Sequence, residues 1–144
     1  MDTKFENAIE FTLKIEGGYS NDPNDPGGET NYGISKRSYP NEDIKNMTPE
    51  RAKKIYYENY WLKAGCDKLP FPWNLMVLDA AVHHGVSRAK QFYSDSTDWN
   101  WEDFLLRRIE FMTKCKKANL YMWGWARRVV CLYDLIKKEV KNNG

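Results

Sequence analysis

The chain is poor in cysteine and has no long apolar run. Its three cysteines, Cys66, Cys115 and Cys131, are odd in number and show no CxxC spacing. That excludes a disulfide framework and argues against a zinc site, so reduced, buried thiols are expected. The longest aliphatic run, Leu75 to Leu78, falls far short of the roughly 20 apolar residues that span a bilayer, and no stable membrane insertion is expected. The first ten residues hold no apolar stretch of the kind found in a secretory leader, so synthesis in the cytoplasm without a signal peptide is the expectation. A strong charge of either sign is also missing. Lys and Arg number 22 against 20 Asp and Glu, a net charge of +2, too little to imply a nucleic-acid partner, and none is expected. The distribution is uneven, because residues 105 to 141 hold ten Lys and Arg against three acidic residues. Such a stretch suits either a polyanion or a solvated helix face whose Lys and Arg stems lie over apolar surface.

What is present suits one globular domain. With 144 residues, 42% hydrophobic and 15% aromatic, the chain can bury a core without a disulfide or a structural metal. Apolar spacing predicts a mainly α protein. Phe5, Ala8, Ile9 and Leu13 mark a first helix, with Asp2 or Thr3 as its cap and Gly17-Gly18 as its stop. Thr48 and Pro49 open a second helix with Ala52, Ile55, Tyr56 and Tyr60 on one stripe. Leu75 to Val82 reads as a buried helix ending at Gly85, and Ser87 as the cap of a short one through Phe92. Residues 101 to 117 and 125 to 141 read as two long helices joined around Asn119 to Gly124. Any sheet is expected to be small and confined to residues 19 to 36. A monomer is expected.

The segment from Glu16 to Ser35 holds five of the nine glycines and two of the six prolines. So turn-rich a loop buries little and has the composition of a binding or catalytic loop. An EF-hand register beginning at Asp22 fails, since Pro26 takes the fifth position and Gly33 the place of the bidentate carboxylate. No GxGxxG or GKS/GKT string offers a phosphate loop. What remains is a carboxyl at a helix C-terminus, Glu16, where the helix dipole disfavours the negative form, with Asp22, Asp25 and Glu29 beyond it. A carboxyl that keeps its proton, opposed by a second carboxylate, is the arrangement that cleaves glycosidic bonds. Spacing alone equally allows Glu16 to end a helix and the Asx residues to close turns.

The string Glu16-Gly17-Gly18-Tyr19, followed by Asn21, Asp25, Gly27-Gly28, Thr30 and Gly33-Ile34, resembles the signature of glycoside hydrolase family 108. This family comprises the peptidoglycan muramidases of phage lysis cassettes and bacterial secretion-activator proteins. Ile55-Tyr56 with Tyr60-Trp61, Cys66-Asp67 with Leu69-Pro70, Asp79-Ala80-Ala81-Val82 with Gly85, Arg88 and Ala89, and Gly124-Trp125 with Arg128 are similar to its later segments. The resemblance implies a lysozyme-like α-rich fold with a small β-hairpin, made of a catalytic half at residues 1–69 and a helical peptidoglycan-binding half at 70–144. It implies hydrolysis of the β-1,4 bond between N-acetylmuramic acid and N-acetylglucosamine, without a cofactor. Glu16 would be the general acid, with Asp25 and Thr30 orienting the attacking water. A substrate outside the inner membrane would require a holin or a secretion apparatus for delivery to the cell wall. His83 stands where the family pattern usually shows Asn, and an imidazole can still donate to a sugar.

Tyr19, Asn21, Tyr32, His83 and Trp125 are the expected substrate-binding residues, the aromatic ones because they lie beside polar turn positions and flat rings stack on sugars. Tyr56, Tyr60, Trp61 and Trp101 fall on apolar stripes and are expected in the core. Adjacent imidazoles at His83-His84 point apart on a helix, so no metal site is expected there. Asp79, on an otherwise apolar helix, is expected to be buried against Arg88 or Arg128.

Overall fold

The apolar run Leu75–Leu78 lies at the centre of the molecule. A computed structural model describes residues 2–96 and 100–143. In it the helix α3, Trp73–His84, is buried continuously from Trp73 to Ala81, which is why this segment shows no amphipathic alternation. Around it pack α1 (Thr3–Glu16), α4 (Val86–Asp95) and α5 (Trp101–Thr113), and α6 (Ala118–Asn143) lies against α5. Between α1 and α3 come a two-stranded sheet, β1 (Thr30–Asn31) and β2 (Ile34–Ser35), then α2 (Pro49–Tyr56) and its π-helical continuation Tyr57–Trp61. The described residues are mainly helical with a small antiparallel sheet, the expected lysozyme-like class.

Local signals set the helix ends. The Asp2 carboxylate accepts from the Phe5 amide at 2.9 Å and starts α1, while the Thr48 hydroxyl accepts from the Arg51 amide at 3.1 Å and starts α2. Phe5, Ala8, Ile9 and Thr12 form the buried face of α1. Tyr56 and Trp61 are core residues; Tyr60 and Trp101 are half-buried and pack against it.

Three expectations are corrected. Residues 118 to 143 form one unbroken helix, not a turn followed by a helix. A single glycine at position 124 costs a helix only about 1 kcal/mol, which the buried Val129, Leu132 and Ile136 further along outweigh. Ser87 is not a cap: Gly85, at φ 96°, ends α3 and begins α4 directly. Of the cysteines only Cys66 is buried, its thiol pushed up to about 12 by burial, and Cys131 is exposed on α6.

Candidate active site

Glu16 is the last residue of α1, one turn beyond Thr12 on the helix's buried face. Its side chain is 24% exposed, and its Oε1 accepts from Nη1 of Arg128 at 2.9 Å.

On its other side Glu16 meets the hairpin turn. Tyr32 (φ 51°) and Gly33 (φ 79°) join β1 to β2 as a two-residue turn with both residues in the left-handed region. The Tyr56 hydroxyl donates to the Tyr32 carbonyl at 2.7 Å, and burial, then the neighbouring Glu16, keep that hydroxyl protonated. A methyl group on Gly33 would lie 2.8 and 2.9 Å from Cβ and Cγ of Glu16 and would collide with the Tyr56 hydroxyl. Gly33→Ala is accordingly expected to destabilise the protein by about 1–3 kcal/mol. Thermal unfolding checks this, with Gly18→Ala as control, since a methyl there meets nothing within 4 Å. Equal melting temperatures for the two variants would contradict the close packing of Glu16 on the turn. Asn31 holds the hairpin from behind, its Nδ2 donating to the carbonyls of Ile44 and Lys45 at 3.1 and 3.4 Å.

Behind Glu16 lies a buried ionic network. Arg128 donates from Nε and Nη2 to the two oxygens of Asp79, at 3.1 and 2.9 Å. Asp79 also accepts from Thr12 Oγ1 and Arg108 Nη1, both at 2.8 Å, so its carboxylate takes four hydrogen bonds, its full capacity. Burial opposes its ionisation, but Arg108 and Arg128 outweigh burial and hold it well below the usual carboxylate range. The expected arginine partner Arg128 is thus found. Arg88 instead lies over the Phe111 ring at 4.4 Å, and Arg108 takes the second place.

Arg108 Nε donates to His84 Nε2, and its Nη2 meets His83 Nδ1, both at 2.9 Å. A guanidinium has no acceptor, so both ring nitrogens accept, both rings are neutral, and the His83 proton sits on Nε2. The rings stack at 4.0 Å rather than diverging, because both face one guanidinium. Burial first, then Arg108, depress His83 to about 3 and His84 to about 2. The unfolded chain binds these protons below about pH 6.5 while the native state does not, so stability present above that pH is lost as the pH falls towards 3. The urea midpoint is expected to drop between pH 6.5 and 5, a window above ordinary carboxylate titration, and His83→Gln with His84→Gln should flatten the drop. A midpoint constant across this window would contradict neutral native imidazoles.

The remaining expected site residues are more scattered. The Asp25 carboxylate accepts from the Gly27 amide and that of Asp22 from the Asn24 amide, each at 2.9 Å. Both are exposed and both close turns. Thr30 pairs with Ser35 across the hairpin and bridges to Ser20. Asn21 is exposed. The exposed Tyr19 donates its hydroxyl to Glu29 at 2.6 Å. Tyr19 and Tyr32 line a groove of about 850 Å³ along α1 that takes in Gly17 and Gly18 and does not reach Glu16. His83 and Trp125 meet edge to face at 6.1 Å, and Tyr121 stacks on Trp125. Among the described residues no group of three or more His, Cys, Asp or Glu could hold a metal ion, and no helix is long and apolar enough to cross a membrane.

Sequence reasoning missed Thr12, Arg108 and the Arg128–Glu16 pair. One signal was available: Glu16 continues the Phe5, Ile9, Thr12 stripe, and a carboxylate on a buried face calls for a cation.

The family model for Glycosyl hydrolase 108 matches residues 9–85, a span that contains Glu16, the hairpin and α3. Brucella abortus SagA shares the fold at a TM-score of 0.79 and 25% identity, over 94% of each chain. No curated protein matches the chain.

Proposed function

Because the chain belongs to the glycosyl hydrolase 108 family, we propose that it is a peptidoglycan N-acetylmuramidase with Glu16 as its general acid. The observation that carries this reading is the setting of Glu16. It is a partly exposed carboxyl at a helix end, packed on a hairpin turn and held through one oxygen by Arg128, with no partner for the other oxygen among the described residues. In the proposed reaction the Glu16 proton goes to the bridging oxygen as it leaves C1 of N-acetylmuramic acid, and water adds at C1, its surplus proton passing to solvent, from which Glu16 is reprotonated. Asp25 and Thr30 are the proposed partners that orient that water. The ring edge of His83 keeps its Nε2–H for donation to a sugar, and Trp125 and Tyr32 offer flat faces. Bacterial peptidoglycan is the proposed partner, reached at the cell wall with the help of a holin or a secretion apparatus.

Digestion of purified cell walls, with mass spectrometry of the released ends, tests the reading. Reducing N-acetylmuramic acid ends are expected. Anhydro-muramic ends would mean a transglycosylase on the same bond, and reducing N-acetylglucosamine ends would reassign the bond.

A further inference from the structure

We propose that Arg128 is the positioning residue of Glu16, and that Asp79 is what confers that role on it. The inference rests on the reading of Glu16 as the general acid and goes beyond it. Arg128 is directed inward: its side chain is only 8% exposed, and Nε, Nη1 and Nη2 all donate within the protein. An arginine has several free torsions, and fixing them costs rotamer entropy, so it holds a carboxyl in one place only if it is itself held. Asp79 does this by a side-on grip on Nε and Nη2, which leaves Nη1 alone to reach Glu16. Asp79 is fixed in turn by Thr12 and Arg108, and Arg108 by the two imidazoles.

The bonds close a ring. Thr12 and Glu16 lie one turn apart on α1, and both are tied to the same Asp79–Arg128 pair, Thr12 through Asp79 and Glu16 through Arg128. The end of α1 is thereby fixed relative to α3 and α6, while Gly33 blocks Glu16 from the hairpin side. Between these two constraints the carboxyl has one orientation. Oε1 is committed to Arg128, and Oε2, without a partner among the described residues, is left to carry the proton.

Steady-state kinetics on soluble peptidoglycan fragments, with thermal unfolding of each protein, test the inference. Arg128→Lys keeps the charge but cannot grip Asp79 side-on and reach Glu16 together. It is expected to lower kcat about 10- to 100-fold with KM within about twofold, since a carboxyl displaced by an ångström loses that much. Arg128→Gln should do the same, and Asp79→Asn should lower kcat although Asp79 touches no substrate. The double variant should lose no more than Arg128→Gln alone, because the two residues act as one unit. A folded Arg128→Lys or Arg128→Gln protein with parental kcat overturns the inference, as does a loss that falls on KM. Should both Arg128 variants fail to fold, a folded Asp79→Asn protein with parental kcat overturns it instead. Full activity of Glu16→Gln would sink the reading of Glu16 itself. An inactive Glu16→Gln protein beside fully active Arg128 variants would sink the positioning role alone.

Discussion

Glu16→Gln is expected to fold like the parent and to hydrolyse peptidoglycan about 10²- to 10⁴-fold more slowly, the contribution of a positioned proton donor. The fold should survive because the amide has nearly the shape of the carboxyl and its oxygen can still accept from Arg128 Nη1, while Asp79 continues to balance that guanidinium. The close fit against Gly33 involves Cβ and Cγ of Glu16, which the substitution leaves in place. What is lost is the proton on Oε2. Turbidity clearing of purified walls measures the rate, and circular dichroism shows that the protein is folded. A folded variant clearing walls at more than about a tenth of the parental rate would remove the general-acid assignment.

The largest effect on stability is expected from Arg108→Met. Arg108 and Asp79 are both 0% exposed and meet at 2.8 Å. Removing the cation leaves Asp79 with only Arg128 and Thr12, and leaves His83 Nδ1 and His84 Nε2 without their donor. Breaking a buried pair from one side costs about 3–5 kcal/mol, which for a domain of this size lowers the melting temperature by about 10 °C or more. The neighbouring Arg107 is the control. It is half-buried on the same helix, paired with Asp103 at 3.6 Å and Glu110 at 3.2 Å, and, with its pairs partly exposed, Arg107→Met should cost less than about 1 kcal/mol. Arg108→Met melting within about 3 °C of the parent would show that the network contributes little to stability.

Two of the ten basic residues in the C-terminal stretch, Arg108 and Arg128, belong to this buried network rather than to a solvated face. The charge count alone treats all ten alike. Burial separates them. What stays outside on α6 includes Trp123, 79% exposed, with Arg127 over its ring at 5.6 Å.

The elements legible in the sequence were those whose causes lie within a few residues. Asp2 and Thr48 reach amides three positions on, and Gly17 ends α1. The mainly helical class and the small sheet follow from these and from apolar periodicity. So does the place of Glu16 at the end of the first helix. Where the local signal was weak it misled: Gly124 reads as a break, yet α6 runs through it because Val129, Leu132 and Ile136 pack into the core.

The surroundings of Glu16 were decided only by the tertiary structure. Arg128 lies 112 positions from Glu16 and 49 from Asp79, and Arg108 lies 29 from Asp79. Nothing in local spacing relates residues so far apart. Their pairing follows from the packing of α1, α5 and α6 around α3, which brings two carboxylates and two guanidiniums out of water together, where each must find an opposite charge. The sequence alone determined that a carboxyl ends the first helix beside a glycine-rich turn. Which cation it meets, and which of its oxygens is left free, depended on desolvation, and desolvation exists only once the helices have packed.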